Sequence, residues 1–187
     1  SGHASDRGVN KDFAPSLFNI GAMALSYRDY LTAEKSLGRT TELDPTRYEN
    51  FLAYAWSLDG QKGKDGKKGV KAGETFEKVL ALKSDNNDAV CGAAWAYASD
   101  KAGWDKALGY FEAGCQLDNV EACTLAGAMI VSSDDKTPAA NGRALSYFDK
   151  ACTKLGGRPC WAAGLLLYKG ETVTKDLVRA RALFGRS

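Results

Sequence analysis

The sequence predicts an all-α protein, an α-solenoid of about five antiparallel helical hairpins. Two observations predict it. A pattern of small and large residues with helical spacing occurs five times, and each of these segments follows another apolar segment that has a small residue near its centre. Both patterns have the period of an α-helix and lack the alternation of a strand. Stacked units of this kind bury their apolar faces only against their neighbours.

The second helix of each predicted hairpin carries a small residue, an aromatic residue or Leu four positions later, and a small or β-branched residue three positions after that. The five instances are Ala33–Leu37–Thr40, Ala72–Phe76–Val79, Ala107–Phe111–Gly114, Ala144–Phe148–Ala151 and Ala180–Phe184–Ser187. This spacing places the three residues on one stripe of a helix. The small residue allows a neighbouring helix to approach closely, and the large one fills the space beside it.

The first helix of each hairpin has a small residue where the two helices are expected to cross: Gly21, Ala55, Gly127 and Gly164. Glycine within a helix costs about 1 kcal/mol relative to alanine, so its repeated use at one phase indicates close helix packing. In the third hairpin the first helix is rich in alanine, and either Ala94 or Trp95 could take this position.

Two connections between helices are enlarged. Asp59–Lys71 in the second hairpin and Ser132–Arg143 in the fourth are rich in Gly, Lys, Asp or Ser, and we expect loops there. Insertions at a fixed place in a repeat map to one edge of a solenoid. The lysines of the first insertion could bind an anionic partner. In the interpretation that we favour, they belong to a solvent-exposed segment without a partner. They are Lys62, Lys64, Lys67, Lys68 and Lys71.

Residues 14–47 resemble a tetratricopeptide repeat, with Gly21, Ala33 and Leu43-Asp44-Pro45 at the family's small and Leu-Asp-Pro positions. Residues 48–87 resemble a second copy. The C-terminal end resembles the Sel1-like family instead, through Gly164, Tyr168, Gly170, Val173, Lys175-Asp176, Ala180 and Phe184. The resemblance implies a right-handed superhelix and one repeat domain over residues 14–187. The predicted repeats are 14–47, 48–87, 88–119, 120–156 and 157–187.

We expect residues 1–13 to be a leader outside the repeats, and the single histidine, His3, lies within it. The last hairpin is expected to be cut short, because the next cysteine of the repeat register would fall one position after residue 187. Further repeats would then follow in the natural protein.

Four of the five cysteines form two pairs in the same repeat phase, Cys115/Cys123 and Cys152/Cys160. In each pair the residues lie eight positions apart, at the last turn of one helix and the first turn of the next, on either side of a tight reversal. This places them within plausible disulfide reach. The alternative is that all four are buried thiols used as small hydrophobic residues. We favour two disulfides and expect Cys91 to be a reduced thiol, since Leu80 stands opposite it in the register.

The arrangement resembles the cysteine-rich Sel1-like proteins of the Helicobacter type, in which cysteines pair at this spacing. Persistent disulfides occur in oxidising compartments, so the sequence predicts an extracytoplasmic location, periplasmic or secreted.

Composition and motifs argue against most other functions. A net charge of +2 gives no global attraction to nucleic acid, and no apolar run approaches the roughly 18 residues of a membrane span. The repeats contain no histidine that could act as the general base for a nucleophile. The spacing of the cysteines is also unlike that of zinc sites. We therefore predict no catalytic residues, no metal site and no cofactor.

By resemblance to the repeat families, the first helices line a concave ligand-binding face. Counting along each first helix from its crossing residue places the following residues toward that face: Phe18, Asn19, Leu52, Trp56, Thr124, Trp161, Leu165 and Tyr168. Packing between adjacent helices is the alternative for each of them. Tryptophan and tyrosine are frequent anchors of protein interfaces.

These observations favour a non-enzymatic scaffold that binds a peptide or partner protein, without nucleic acid and without membrane insertion. One alternative is an assembly factor handling haem or copper in an organelle such as the mitochondrial intermembrane space, where Sel1-like proteins also occur. A further alternative, taken from a family link to β-lactams, is a protein that binds or hydrolyses β-lactams or cell-wall peptides.

Overall fold

The computed structural model describes residues 13–61, 63 and 66–187, and these residues form ten α-helices and no strand. The prediction of an all-α chain is confirmed. The first helices of the hairpins are α1 Ala14–Ser26, α3 Tyr48–Asp59, α5 Asn87–Tyr97, α7 Val120–Ser132 and α9 Arg158–Lys169. The second helices are α2 Tyr30–Leu43, α4 Gly66–Leu82, α6 Trp104–Gln116, α8 Pro138–Leu155 and α10 Leu177–Phe184. The predicted leader, including His3, lies outside the described residues apart from Phe13.

The helices belong to two compact units. The first ends at Gly103 and contains α1–α5, and the second, Trp104–Ser187, contains α6–α10. Within each unit, every helix packs against the one that precedes it in sequence. A short 3₁₀ turn, Lys101–Gly103, ends the first unit. The division falls between the two helices of the third predicted hairpin.

Five helices begin at a polar side chain that accepts a hydrogen bond from the backbone N–H three residues later. These residues are Asp29, Asn86, Asn119, Thr137 and Asp176. Such a cap satisfies one of the otherwise unpaired N–H groups at a helix start and contributes about 1 kcal/mol. The turns between helices are therefore encoded locally, by the residue type at each helix start.

The core of the first unit forms where large side chains meet glycine. Leu37 of α2 packs directly on Gly21 of α1, and Phe76 of α4 packs on Gly92 of α5. Both large side chains are fully buried. A methyl group at either glycine would overlap its neighbour, so glycine is required by the close approach of the two helices.

The second unit repeats this contact twice. Gly127 of α7 faces the Phe148 ring of α8, and Gly164 of α9 faces the Phe184 ring of α10. These are the crossing residues and the aromatic residues that the sequence pattern predicts. In the first helix of the third predicted hairpin, Ala94 is fully buried whereas Trp95 is 42% exposed.

The two predicted loops are shorter than expected. Helix α4 begins at Gly66 and helix α8 at Pro138, so the predictions of loop structure over 66–71 and 138–143 were wrong. Helix α8 is started by the Thr137 cap and by Pro138 in its first turn, where proline is favourable. The first turns of α4 are stabilised by contacts of Lys68 with Glu34 and of Lys71 with the Tyr54 ring. Lys62 and Lys64 lie outside the described residues.

A polar cluster connects the start of α4 to α2. The carboxylate of Glu34 accepts hydrogen bonds from the Lys68 ammonium and from Nε2 of Gln61, the latter at 3.0 Å. Gln61 also donates to the carbonyl of Ser57 at 2.9 Å. Burial alone would raise the pKa of Glu34, but the hydrogen bonds from Lys68 and Gln61 outweigh it and lower that pKa. The ionised carboxylate therefore stabilises the folded unit.

We expect Gly127→Ala to destabilise the second unit by about 1–3 kcal/mol, because its Cβ would lie 2.8 Å from Cε1 of the buried Phe148 ring. Gly109→Ala is the matched control, since a methyl group there meets nothing within 4 Å on the exposed face of α6. Helix propensity should make the control neutral or slightly stabilising. Denaturant unfolding measures both, and equal effects of the two substitutions would contradict the packing argument.

We expect Glu34→Gln to lower the free energy of unfolding at neutral pH by about 1 kcal/mol. The folded-state pKa of Glu34 is lowered, so its stabilisation is present above the ordinary carboxyl pKa and is lost as the pH falls through the lowered value. The variant should consequently lose less stability on acidification than the wild type. Glu42→Gln is the control, because the Glu42–Arg39 pair is exposed and contributes little. An identical acid response in all three proteins would contradict the role of Glu34.

Candidate functional site

The two predicted cysteine pairs lie at disulfide distance in the second unit. Cys115 lies in the last turn of α6 opposite Cys123 of α7, with their Cα atoms 4.5 Å apart. Cys152 lies in the last turn of α8 opposite Cys160 of α9, with a Cα separation of 4.7 Å. All four side chains are almost completely buried. Each pair therefore joins the second helix of one hairpin to the first helix of the next.

The reversals between the paired cysteines use backbone conformations with positive φ. Asp118 has a φ of 65°, and Gly156 and Gly157 have φ values of 68° and 63°. For Asp118, a residue with a Cβ, this conformation is uncommon. Its carboxylate lies 3.0 Å from the Lys150 ammonium and 3.2 Å from that of Lys154. Hydrogen bonds from these lysines lower the pKa of Asp118.

The backbone carbonyl of the first cysteine of each pair also accepts a hydrogen bond from a basic side chain, which comes from α8 in one case and from the turn after α10 in the other. The ammonium of Lys150 donates to the carbonyl of Cys115 at 2.6 Å, and the guanidinium of Arg186 donates to the carbonyl of Cys152 at 3.1 Å. These carbonyls lie at helix C-termini, where cations are favourable. Sequence reasoning missed both residues. Their equal distance of six positions from the small residues Ala144 and Ala180 was the available signal.

Successive second helices of this unit are joined by a repeated ion pair. Arg143 of α8 pairs with Glu112 of α6, and Arg179 of α10 pairs with Asp149 of α8. Both arginines directly precede the small residue of their helix. The register that aligns the cysteines thus also aligns the charges between repeats.

In the first unit, the predicted surface residues lie on α1 and α3. Phe18 and Leu52 are half-buried, and Asn19 is exposed. Trp56 is 37% exposed, and its ring makes a T-shaped contact with the Phe76 ring at a centroid distance of 4.9 Å. Trp56 therefore takes part in packing and still presents apolar surface to solvent.

Trp95 of α5 is a further exposed tryptophan of this unit and was not among the surface residues predicted from the sequence. It directly follows the buried Ala94, as Trp56 directly follows the buried Ala55. Helices α3 and α5 contact each other within the unit. Cys91 lies one turn before Trp95, is partly exposed, and is not part of a disulfide; its thiol lies 3.8 Å from Oδ1 of Asn87.

In the second unit, Trp161, Leu165 and Tyr168 share one face of α9. Trp161 is 53% and Tyr168 56% exposed, whereas Leu165 is half-buried. The Lys175 ammonium lies 5.9 Å from the centre of the Tyr168 ring. Thr124 lies on α7, is half-buried, and donates its hydroxyl to the Val120 carbonyl at 2.9 Å. The aromatic residues of α9 are therefore the main apolar surface among the predicted residues of this unit.

Within the described part of the chain, no three His, Cys, Asp or Glu side chains are grouped as a metal ion would require. In the same residues, no helix has the length and apolar character needed to cross a membrane.

Comparison with solved structures supports the fold assignment. The chain superposes on the MamA protein with a TM-score of 0.71 at 18% identity, covering 92% of this chain and 88% of MamA. It superposes on YrrB, described as a TPR protein with an unusual peptide-binding site, with a TM-score of 0.68 at 19% identity, covering 95% and 86% of the two chains. The chain has the fold of a tetratricopeptide-type repeat protein.

The third comparison concerns the Sel1-like repeat fold. The chain superposes on c5321, a protective antigen of uropathogenic Escherichia coli strains that displays this fold, with a TM-score of 0.64 at 18% identity. The match covers 92% of this chain and 37% of the antigen. No protein-family model and no curated protein sequence matches the chain. The resemblance to both repeat types predicted from the sequence is thus confirmed at the level of fold.

We expect peptide mapping without reductant to find Cys115 linked to Cys123 and Cys152 linked to Cys160, with Cys91 alkylated. The first cysteine of each pair meets the second across one short turn, and each bond should contribute about 2–3 kcal/mol by restricting the unfolded chain. Reduction should therefore lower the thermal stability of the second unit most. Alkylation of all five thiols in freshly purified native protein would exclude this pairing.

Proposed function

We propose that the chain is a non-enzymatic scaffold that binds a peptide or a partner protein through the exposed faces of its first helices. The observation that carries this proposal is the set of large aromatic side chains on those faces. Trp56, Trp95, Trp161 and Tyr168 are between 37% and 56% exposed. Residues of these types supply much of the binding energy at protein interfaces.

Packing within the units leaves part of each of these aromatic side chains in solvent. The buried residues of α3 and α5 include the small residues Ala55 and Ala94. In α9 the buried Gly164 lies against the Phe184 ring of α10. Trp161 of α9 is 53% exposed, so about half of this large apolar side chain remains in solvent after folding. The peptide-binding site named for YrrB supports peptide binding by a chain of this fold.

The proposed location is extracytoplasmic, periplasmic or secreted. Support comes from the two buried cysteine pairs at disulfide distance, since disulfides persist in oxidising compartments. The division into five repeats at 14–47, 48–87, 88–119, 120–156 and 157–187 also remains a proposal. Alkylation of thiols at the moment of cell lysis tests the location, because a cytoplasmic protein would be trapped with all five cysteines reduced.

The binding role is tested by affinity capture with the oxidised full chain as bait, followed by measurement of Kd with each purified partner. A bait carrying both Trp56→Ala and Trp161→Ala should lose the specific partners. The proposal fails if no protein or peptide binds while a small molecule binds stoichiometrically.

We expect Trp161→Ala to weaken partner binding by more than about 1 kcal/mol, which is at least fivefold in Kd. The variant should remain folded, because Trp161 is half in solvent and its helix is joined to α8 through Cys160. Trp104→Ala is the matched control, since Trp104 is 37% exposed at the start of α6, a second helix. Unchanged Kd for Trp161→Ala, or an equal loss for both variants, would remove Trp161 from the binding surface.

A further inference from the structure

Helix α1 carries a stripe of four large apolar side chains that are between 37% and 80% exposed. They are Phe13, Ile20, Met23 and Tyr27. Phe13 and Tyr27 flank the helix as its N-cap and C-cap residues. Spacings of seven, three and four residues place all four side chains on one side of the helix, which we call the α1 stripe. The buried residues of α1, Gly21 and Ala24, lie on another side.

In other first helices, the side that corresponds to the α1 stripe is covered. The residue directly before the crossing residue is Ile20 in α1 and Tyr54 in α3. The Tyr54 ring lies against Gly38 of α2, the second helix of the preceding hairpin. The same position is held by Ala126 in α7 and by Ala163 in α9, and both are fully buried. The α1 stripe therefore has the phase of a helix-packing surface, yet no helix of the described chain covers it.

The composition of α1 selects an uncharged partner. Its residues, Ala14–Ser26, include no Asp, Glu, Lys, Arg or His. A charged side chain packed against the stripe would lose water without gaining an ion partner, which is unfavourable. Helix α10 of another copy is a poor match for this reason. Its exposed Arg181 directly follows the small residue of the helix, and the equivalent Gly73 of α4 is the residue that meets α5. The α1 stripe of a second copy carries no charge and is equally apolar.

The spacing within the stripe also fits a second copy of α1. Ile20 lies seven residues after Phe13 and seven residues before Tyr27, so each aromatic residue is about 10 Å from it along the helix axis. If two α1 helices pack antiparallel about a two-fold axis at Ile20, this residue meets its own copy. Each Phe13 then meets Tyr27 of the other copy, and such aromatic pairs are favourable. A two-fold interface requires a self-complementary patch of this kind.

We propose that two copies of this chain associate through their α1 stripes, antiparallel about a two-fold axis at Ile20. The dimer carries two copies of the proposed binding surface. A partner with two matching segments would therefore be bound more tightly than by a single chain. This consequence rests on the proposed function, whereas the association itself does not.

Sedimentation velocity of the full chain, from low micromolar to submillimolar concentration, tests the association. We expect a monomer–dimer equilibrium. Ile20→Glu and Ile20→Lys each place two like charges face to face at the axis, so each should raise the Kd of the dimer at least about tenfold. An equimolar mixture of these two variants should associate again, because the substituted positions then carry opposite charges. Val178→Glu is the matched control, since it replaces an exposed apolar residue on α10 and should leave the Kd unchanged.

Tyr27→Glu is the second variant, because Tyr27 follows the last residue of α1 and is the most exposed residue of the stripe, so its replacement should leave the fold intact. It should also weaken the dimer, and a mixture with Phe13→Lys should restore association. Circular dichroism checks that each variant is folded.

A chain that stays monomeric at every concentration would overturn the inference and would assign the stripe to another segment or another protein. An unchanged Kd for both glutamate variants, or mixtures that fail to associate, would overturn it as well. These measurements use no partner protein, so their failure leaves the scaffold function standing, and failed partner capture leaves the dimer standing.

Discussion

Close contact between a small residue on one helix and a large side chain on the next is the constraint on which the packing of both units depends. Gly21, Gly127 and Gly164 each accept a Leu or Phe side chain so closely that an added methyl group would overlap it. The glycines weaken their own helices by about 1 kcal/mol each. Burial of the large side chains against them offsets this cost, since a fully buried Leu or Phe contributes about 1.5–3 kcal/mol.

The second unit adds a set of polar contacts that repeats with the same register. The cysteine pairs, the basic side chains on the cysteine carbonyls, and the Arg143–Glu112 and Arg179–Asp149 ion pairs all recur from one hairpin to the next. The ion pairs are partly exposed, so individually they contribute little. Their common phase nevertheless fixes which residues meet, because a shift along the helix would separate all of these contacts at once.

Features that repeat with the helix period could be predicted from the sequence, and features that depend on a single tertiary contact could not. The crossing glycines and the pairing of Cys115 with Cys123 follow from register alone. Trp95 was missed because the alanine-rich sequence around it gives the helix no clear phase. The helical state of residues 66–71 was missed because the Gly and Lys composition favours a loop, whereas contacts that form within the folded unit, such as that of Lys68 with Glu34, favour the helix.

The exposed aromatic residues differ in how strongly they support a binding function. The Trp56 ring makes a T-shaped contact with the buried Phe76 ring, so a tryptophan at this position has a structural explanation even without a partner. Trp161 is more exposed and lies outside the buried core of the second unit, so folding gives little reason for so large an apolar side chain at this position. A tryptophan left half in water is a common property of interface anchors and a rare requirement of a helix surface. Binding through α9 is therefore better supported by Trp161 than binding through α3 is by Trp56, even though both residues follow from the same repeat pattern.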